Sequence, residues 1–400
     1  MDSITIKRPF DSHTHFRRGA VLKAVVPYTT ERFWGALVMP NTEPPIDTCR
    51  AAAEYKKEIL AAVPAGQSFK PLISFYLTKN LTPAEIEKGW YGDLVGHREA
   101  GDARRGESGD GAVQNGTVRE PQGPRNDADS VYPRPTKVYA VKSYPYGATT
   151  NSQWGYRSIL EAKDVLKKME EVGMPLLLHG EVHLNEHDEE EDPYDGERLF
   201  VQDTLPRLLD AYPRLRVSLE HMSSADAVDF MEKNGKEGQL VTTITPTHLL
   251  YDRRQAFSGG YRPLIHMKPL VKTREDRERV RDIARKGLPF VSAGTDSAPH
   301  PEGKKFSSCC AFGTFSSPVA LEVYTQVFDE MNALDKLENF LSVNGPRFFG
   351  LEPSKETLTL TKEDWQTSEP VTTEEGVRIW PICNTVHGLG GEVIRWKILR

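Results

Sequence analysis

Cysteine is scarce in this chain, at four in 400 residues: Cys49, Cys309, Cys310 and Cys383. So few thiols over that length exclude a disulfide framework, and no Cys-x-x-Cys offers a redox or zinc knuckle. Reduced thiols and a cytoplasmic location are the expectation. Long apolar runs are also missing. None approaches the about 20 residues that a membrane span needs, and Met1-Asp2-Ser3-Ile4-Thr5-Ile6-Lys7 lacks the apolar core of a signal peptide. Charge of one sign is missing too: 51 Lys and Arg against 57 Asp and Glu give a net charge of -6. That balance argues against nucleic acid as a partner. There is no Gly-x-Gly-x-x-Gly after the first strand candidate and no Gly-x-Ser-x-Gly. A dinucleotide-binding open sheet and a serine nucleophile elbow therefore lose their usual signatures, and Ser292 and Ser297 gain no catalytic reading.

What is present is an alternation of short β-branched runs with amphipathic stretches. Strand candidates end near His13, Asn41, Leu77, Lys142, His179, His221, Thr245 and Asp296. Helical periodicity falls at 48–62, 83–90, 156–172, 197–211, 224–234 and 273–286. Eight strand–helix units in one chain predict an α/β fold, a (β/α)8 TIM barrel over 1–400, with a doubly wound open sheet as the fallback. The stretch 97–134 has no Leu, Ile, Met, Phe or Trp and is rich in Gly, Arg, Asp and Glu. Such a segment buries too little apolar surface to offset its ordering entropy, so it reads as a disordered insertion. Between the third helix and the fourth strand it would lie on the barrel face opposite the active site. A docking segment and retained intron sequence both fit its composition.

The polar residues fall at the strand ends. His13 and His15, two apart, aim two imidazoles at one point if the strand runs through them. A His-x-His alone is commonly just the polar end of a strand. Here it is joined by Asn41, Lys142, His179, His221 and Asp296, each ending another candidate strand. A barrel gathers those ends into one mouth. Lys142 follows Val138-Tyr139-Ala140-Val141, so burial should depress its pKa and leave a nucleophilic amine. A Schiff base and carbamylation are the two routes; among four histidines and an aspartate, a carbamate able to bridge two metals fits better. His183 and His187 read as loop residues, and His248 as a hydrogen-bonding group. His266 reads as a pocket-lining residue without catalytic duty. His97 and His387 receive no role.

The segments HTHFRRG (13–19), VMPNTEPP (38–45), KSYPYGATTNS (142–152), PLLLHGEVH (175–183), LEHMSS (219–224), TITPTHL (243–249) and GTDSAPHP (294–301) resemble the dihydroorotases. The similarity is to the single-function form of de novo pyrimidine synthesis, in the amidohydrolase superfamily, and it spans the chain except 97–134. MNALDKLENFLSVNGPRFFGL (331–351) resembles that family too. The resemblance implies an enzyme that interconverts dihydroorotate and N-carbamoyl-L-aspartate. It implies two zinc ions: His13, His15 and Asp296 on one, His179 and His221 on the other. N6-carboxylated Lys142 and a hydroxide would bridge them. Asp296 would be the catalytic base and acid. Arg17 and Asn41 would bind the substrate carboxylate, with His300 as a third donor. His15, Phe16 and His179 would also meet substrate, as would the main chains of Lys268 and Phe312. Thr149 and Thr150 match a mobile loop that closes over ligand, with Gly147 as a hinge. The partner is a small molecule, with no nucleic acid or membrane, and the oligomer implied is a homodimer. The rival readings are another ring-opening amidohydrolase, of hydantoinase or allantoinase type, and a non-catalytic barrel scaffold.

Overall fold

The computed structural model describes residues 2–92, 136–384 and 393–399. The 97–134 segment, His97 within it, and His387 lie outside the described residues. Strand β1 (Ser3–Lys7) stands apart; β2 (Phe10–Thr14), β3 (Gly35–Val38), β4 (Lys70–Tyr76), β5 (Val138–Ser143), β6 (Leu176–Leu178), β7 (Val217–Leu219), β8 (Leu240–Ile244) and β9 (Val291–Ala293) form one parallel sheet in sequence order. The first and last strands meet through a parallel bridge between Thr14 and Ser297 and through Asp296 N–H to His13 C=O at 2.8 Å. With helices between successive strands, this is the expected (β/α)8 barrel.

Every candidate strand end falls within a few residues of an observed one, but the first is drawn differently. The run 4–13 is two strands, not one. Pro9 has no N–H to give a ladder, so pairing breaks there. Residues before it join β10 (Thr357–Trp365) and, through it, the last of the strands, Ile394–Ile398, in a separate antiparallel sheet. The strand does not run through both histidines: β2 ends at Thr14, between His13 and His15, and Arg17 beyond them has φ +60°. The helix expected from 156 begins at Lys163, after a single 3-10 turn at Ile159–Glu161. The helix Gly19–Arg32 escaped the periodicity reading because its apolar residues lie on more than one side and Pro27, normally a helix breaker, stands inside it.

The barrel's interior is closed at one end and polar at the other. Phe10, Leu37, Leu72, Ala140, Leu177 and Val241 pack inside against Phe348 and Phe349, which plug the end remote from the candidate site. A second, larger apolar layer lies between strands and helices. The plug leaves only the C-terminal mouth open for polar chemistry.

Candidate metal centre

His13, inside β2, and His15, just past its end, converge with Asp296, three residues beyond β9. Nε2 of His13 and Nε2 of His15 are 3.3 Å apart. Asp296 Oδ1 stands 3.3 Å from the first and 3.1 Å from the second. Donors about 2.0–2.1 Å from a tetrahedral zinc stand about 3.3 Å from one another. The three atoms therefore already form one face of such a shell. Gly294 makes this possible: a Cβ there would meet His13 Cβ at 2.9 Å and Thr243 Cβ at 3.0 Å.

The second cluster faces the first. The rings of His179 and His221 meet edge to face with centroids 4.6 Å apart, and His221 lies 5.2 Å from His13. Lys142, on β5, is fully buried, and its Nζ has no hydrogen-bond partner among the described residues. Nδ1 of His221 is orphaned in the same way. An unpaired buried ammonium is costly, and burial pulls the Lys142 pKa down to about 8. Orphaned polar groups beside a preformed histidine–aspartate face fit a metal centre.

Carboxylates that the sequence reading passed over orient these ligands. Glu220 Oε2 is 2.6 Å from His13 Nδ1, and Glu181 Oε2 is 2.6 Å from His179 Nε2. Each sits one or two residues from a ligand histidine, a spacing that could have flagged it. Metal-bound imidazoles normally donate their other N–H to such a partner. That leaves His13 Nε2 and His179 Nδ1 as the nitrogens not turned to these carboxylates. Asp11 ties the two ends of the barrel sheet together, accepting from His13 N–H at 3.1 Å, Thr295 N–H at 2.8 Å and Thr295 Oγ1 at 2.6 Å. Burial raises its pKa to about 6 against those bonds.

Burial lowers the His15 pKa to about 4, despite Asp296, so the ring is neutral. For Asp296 burial acts upward, but His13 and His15 outweigh it and hold the carboxyl well below its usual range. His13 is the reverse: burial pulls it down, yet Asp296 and Glu220 leave it raised. Three of the site residues, Arg17, His221 and Asp296, have left-handed backbones, with φ of +60°, +45° and +43°. Such conformations cost roughly 1–3 kcal/mol each and cluster at functional sites.

A small cleft opens over the cluster. His13, His15, Arg17, Asn41, His179, His221, Lys268, Asp296, Phe312, Thr149 and Thr150 all line it, with Tyr144, which sequence reasoning missed. The loop carrying Thr149 and Thr150 lies across the mouth: Thr150 Oγ1 donates to Phe312 C=O at 3.1 Å, and its carbonyl accepts from Asn41 Nδ2 at 2.9 Å. Since His15 turns Nε2 to the centre, its Nδ1–H donates to Asn41 Oδ1 at 2.8 Å. Both ends of the Asn41 amide are therefore engaged. Arg17 donates from Nε to Pro299 C=O at 3.0 Å, and its Nη2 is 2.8 Å from His300 Nε2.

Two expected substrate residues, Phe16 and His300, are not among the residues lining this cavity. Phe16 is buried, its ring packed edge-on against Phe69 at 6.2 Å. His300 stands behind Arg17, and burial takes its pKa to about 2, leaving a neutral ring. His266 stacks on Phe312 at 4.4 Å and lines an adjoining cleft shared with Thr149, Thr150 and Phe312. His248 spends both nitrogens on Thr245 Oγ1 and Pro269 C=O, as its hydrogen-bonding role requires. The exposed His187 and the loop residue His183 are outside the cluster.

No protein-family model matches the chain. A relative named dihydroorotase from Picosynechococcus is 38% identical over 397 residues, 99% of each chain. Among solved structures, dihydroorotase from Saccharomyces cerevisiae in complex with 5-fluoroorotic acid superposes with TM-score 0.79 at 27% identity, covering 100% of this chain and 99% of that one. Dihydroorotase from Campylobacter jejuni gives TM-score 0.77 at 26% identity, covering 100% and 98%.

Proposed function

This chain belongs to the dihydroorotase family, and from that premise we propose how its own residues divide the work. The protein is a hydrolase of the amidohydrolase type that opens and closes the cyclic amide of dihydroorotate, a step of pyrimidine biosynthesis. The family is metal-dependent, and its members act on small molecules. In our reading His13, His15 and Asp296 would hold one zinc, His179 and His221 a second, and carboxylated Lys142 would span the two. When bound, the pair would supply Lewis acidity to the scissile carbonyl and an acidified water as nucleophile. The observation that carries this assignment is the His13–His15–Asp296 face beside the orphaned Lys142 amine.

Asp296 takes the proton from the attacking water and returns it to the ring nitrogen as the amide breaks; the reverse direction uses the same carboxylate. Its depressed pKa keeps it ionised and ready to accept. Arg17 meets the substrate carboxylate with a planar fork, a geometry that Lys does not reproduce. Asn41 joins it by releasing Thr150 C=O, so substrate binding and loop position are coupled through one amide. His300 orients Arg17 from behind. The main chains of Phe312 and Lys268 complete the pocket, and Thr149 and Thr150 exclude water above it.

Hydantoinase and allantoinase substrates need not present that carboxylate, so Arg17 favours dihydroorotate over them. A scaffold would have no need of six converging ligands with their carboxylate supports. Metal content and dihydroorotate turnover, measured on one purified sample, test the reading: about two zinc per chain with turnover supports it, and a folded, metal-free, inactive protein overturns it. No helix among the described residues is long and apolar enough to cross a membrane. The family resemblance and the unbridged cysteines support a cytoplasmic homodimer, which sedimentation at working concentration checks.

A further inference from the structure

Lys305 has no part in the scheme above, yet it is built into the site's outer wall. It ends the short helix Glu302–Lys305 and is 4% exposed. Its Nζ donates to three main-chain carbonyls: Gly313 at 2.7 Å, Ala311 at 2.8 Å and His266 at 3.0 Å. An ammonium has three N–H donors, so these acceptors use it fully. Two of them flank Phe312, and the third lies two residues before Lys268. Gly313 N–H also donates to His266 C=O at 3.0 Å. The backbone so fixed is one that other residues could not hold: Gly313 has φ +138°, and a Cβ there would stand 2.7 Å from Ala298 C=O. The Phe312 carbonyl between these anchors is the acceptor for Thr150 Oγ1, the contact by which the loop rests on the mouth.

We propose that Lys305 is a positioning residue for substrate binding, its ammonium fixing the Phe312 main chain at the cavity wall and with it the latch to Thr150. The inference rests on the reading that the Phe312 main chain meets substrate. It gives this buried cation a job that neither metal binding nor proton transfer supplies. Removing the ammonium frees three carbonyls at once and loosens the wall against which the loop closes.

Steady-state kinetics of metal-loaded Lys305→Met and Lys305→Arg, in both directions, test it. The Met variant should raise KM for dihydroorotate and for N-carbamoyl-aspartate by about tenfold while kcat stays within about threefold. Bound metal per chain should match wild type. The Arg variant keeps a cation with several donors and should fall between the two. A merely structural role would cut the active fraction, lowering kcat at unchanged KM, and that result overturns the proposal. If the Met variant does not fold, the Arg variant decides: a raised KM supports the role, and a wild-type KM overturns it. Absence of dihydroorotate turnover in the wild-type enzyme would instead sink the functional reading, before any variant is compared.

Discussion

Oε2 of Glu220 lies 2.6 Å from Nδ1 of His13, and that contact decides which nitrogen of His13 faces the metal site. The carboxylate is fully buried beside β7 and also touches Ser218 and Thr243. Substituting Glu220→Gln removes the charge that holds the His13 tautomer. Metal affinity should fall by about 10–100-fold, as for other partners of ligand histidines. Competition with a chelator measures it, and unchanged affinity would show that Glu220 is only a core group.

Lys142 carries the next expectation. Lys142→Ala should lose bound metal and activity, and short carboxylic acids should restore part of both by standing in for the missing carbamate. Full metal content in the variant would end the bridging role. The pH dependence follows from burial, which places the amine near pH 8 rather than at its usual 10.5. Carbamylation consumes the neutral amine. In metal-stripped enzyme at fixed dissolved carbon dioxide, reactivation by zinc should speed up about tenfold per pH unit below 8 and level off above it. A rate still climbing through pH 10 would mean an unperturbed lysine.

The barrel was legible because its signals are local. Each strand is a short apolar run, and the residues ending the runs differ in chemistry from those inside them. His13, Lys142, His179, His221 and Asp296 could be placed around one mouth for that reason. What remained hidden depends on contacts distant in sequence. Glu220 pairs with a histidine 207 positions away, and Lys305 spans a wall made by residues 266 and 311–313. The strand break at Pro9 went unread because the residues before it also alternate as a strand. The left-handed turn at Arg17 was unreadable for another reason: Arg has no special tolerance for that conformation, so its residue type does not announce it.

Asp296 contacts both histidines of the first ligand face and, among the described residues, is the only carboxylate lining the cavity there. Asp296→Asn keeps an oxygen for that face but cannot take a proton. Turnover should fall by at least about 10²-fold in both directions, within the range of lost acid–base catalysis. Wild-type rate in either direction would remove it from proton transfer.

Arg17 is held by Pro299 and His300 with its planar group at the cavity wall. Arg17→Lys keeps the charge and loses the fork. The KM for dihydroorotate should rise about 10–100-fold, corresponding to roughly 1.5–3 kcal/mol for a hydrogen bond to a charged group. Any residual activity on hydantoin, which lacks the carboxylate, should be unaffected by the change. Equal losses on both substrates would place Arg17 in the fold rather than in recognition.

The segment 97–134 is tested by the residues that flank it. Gly92 follows the helix Pro83–Tyr91, and Lys137 precedes β5. A Cβ built on Gly92 would stand 2.9 Å from Lys137 Cα, so the chain leaves and re-enters the barrel at nearly the same point. A handful of residues suffices to join the two. The junction is at the N-terminal end of β5, whereas Lys142 is at its far end, about 17 Å away at about 3.3 Å per residue. We therefore propose that the chain is one barrel with an insertion that catalysis does not use. Deleting 98–134 should leave kcat, KM and bound metal within about twofold of wild type, because mutations that distant couple weakly to a site. A folded, metal-loaded deletion variant with much reduced turnover would show instead that the segment reaches the reaction.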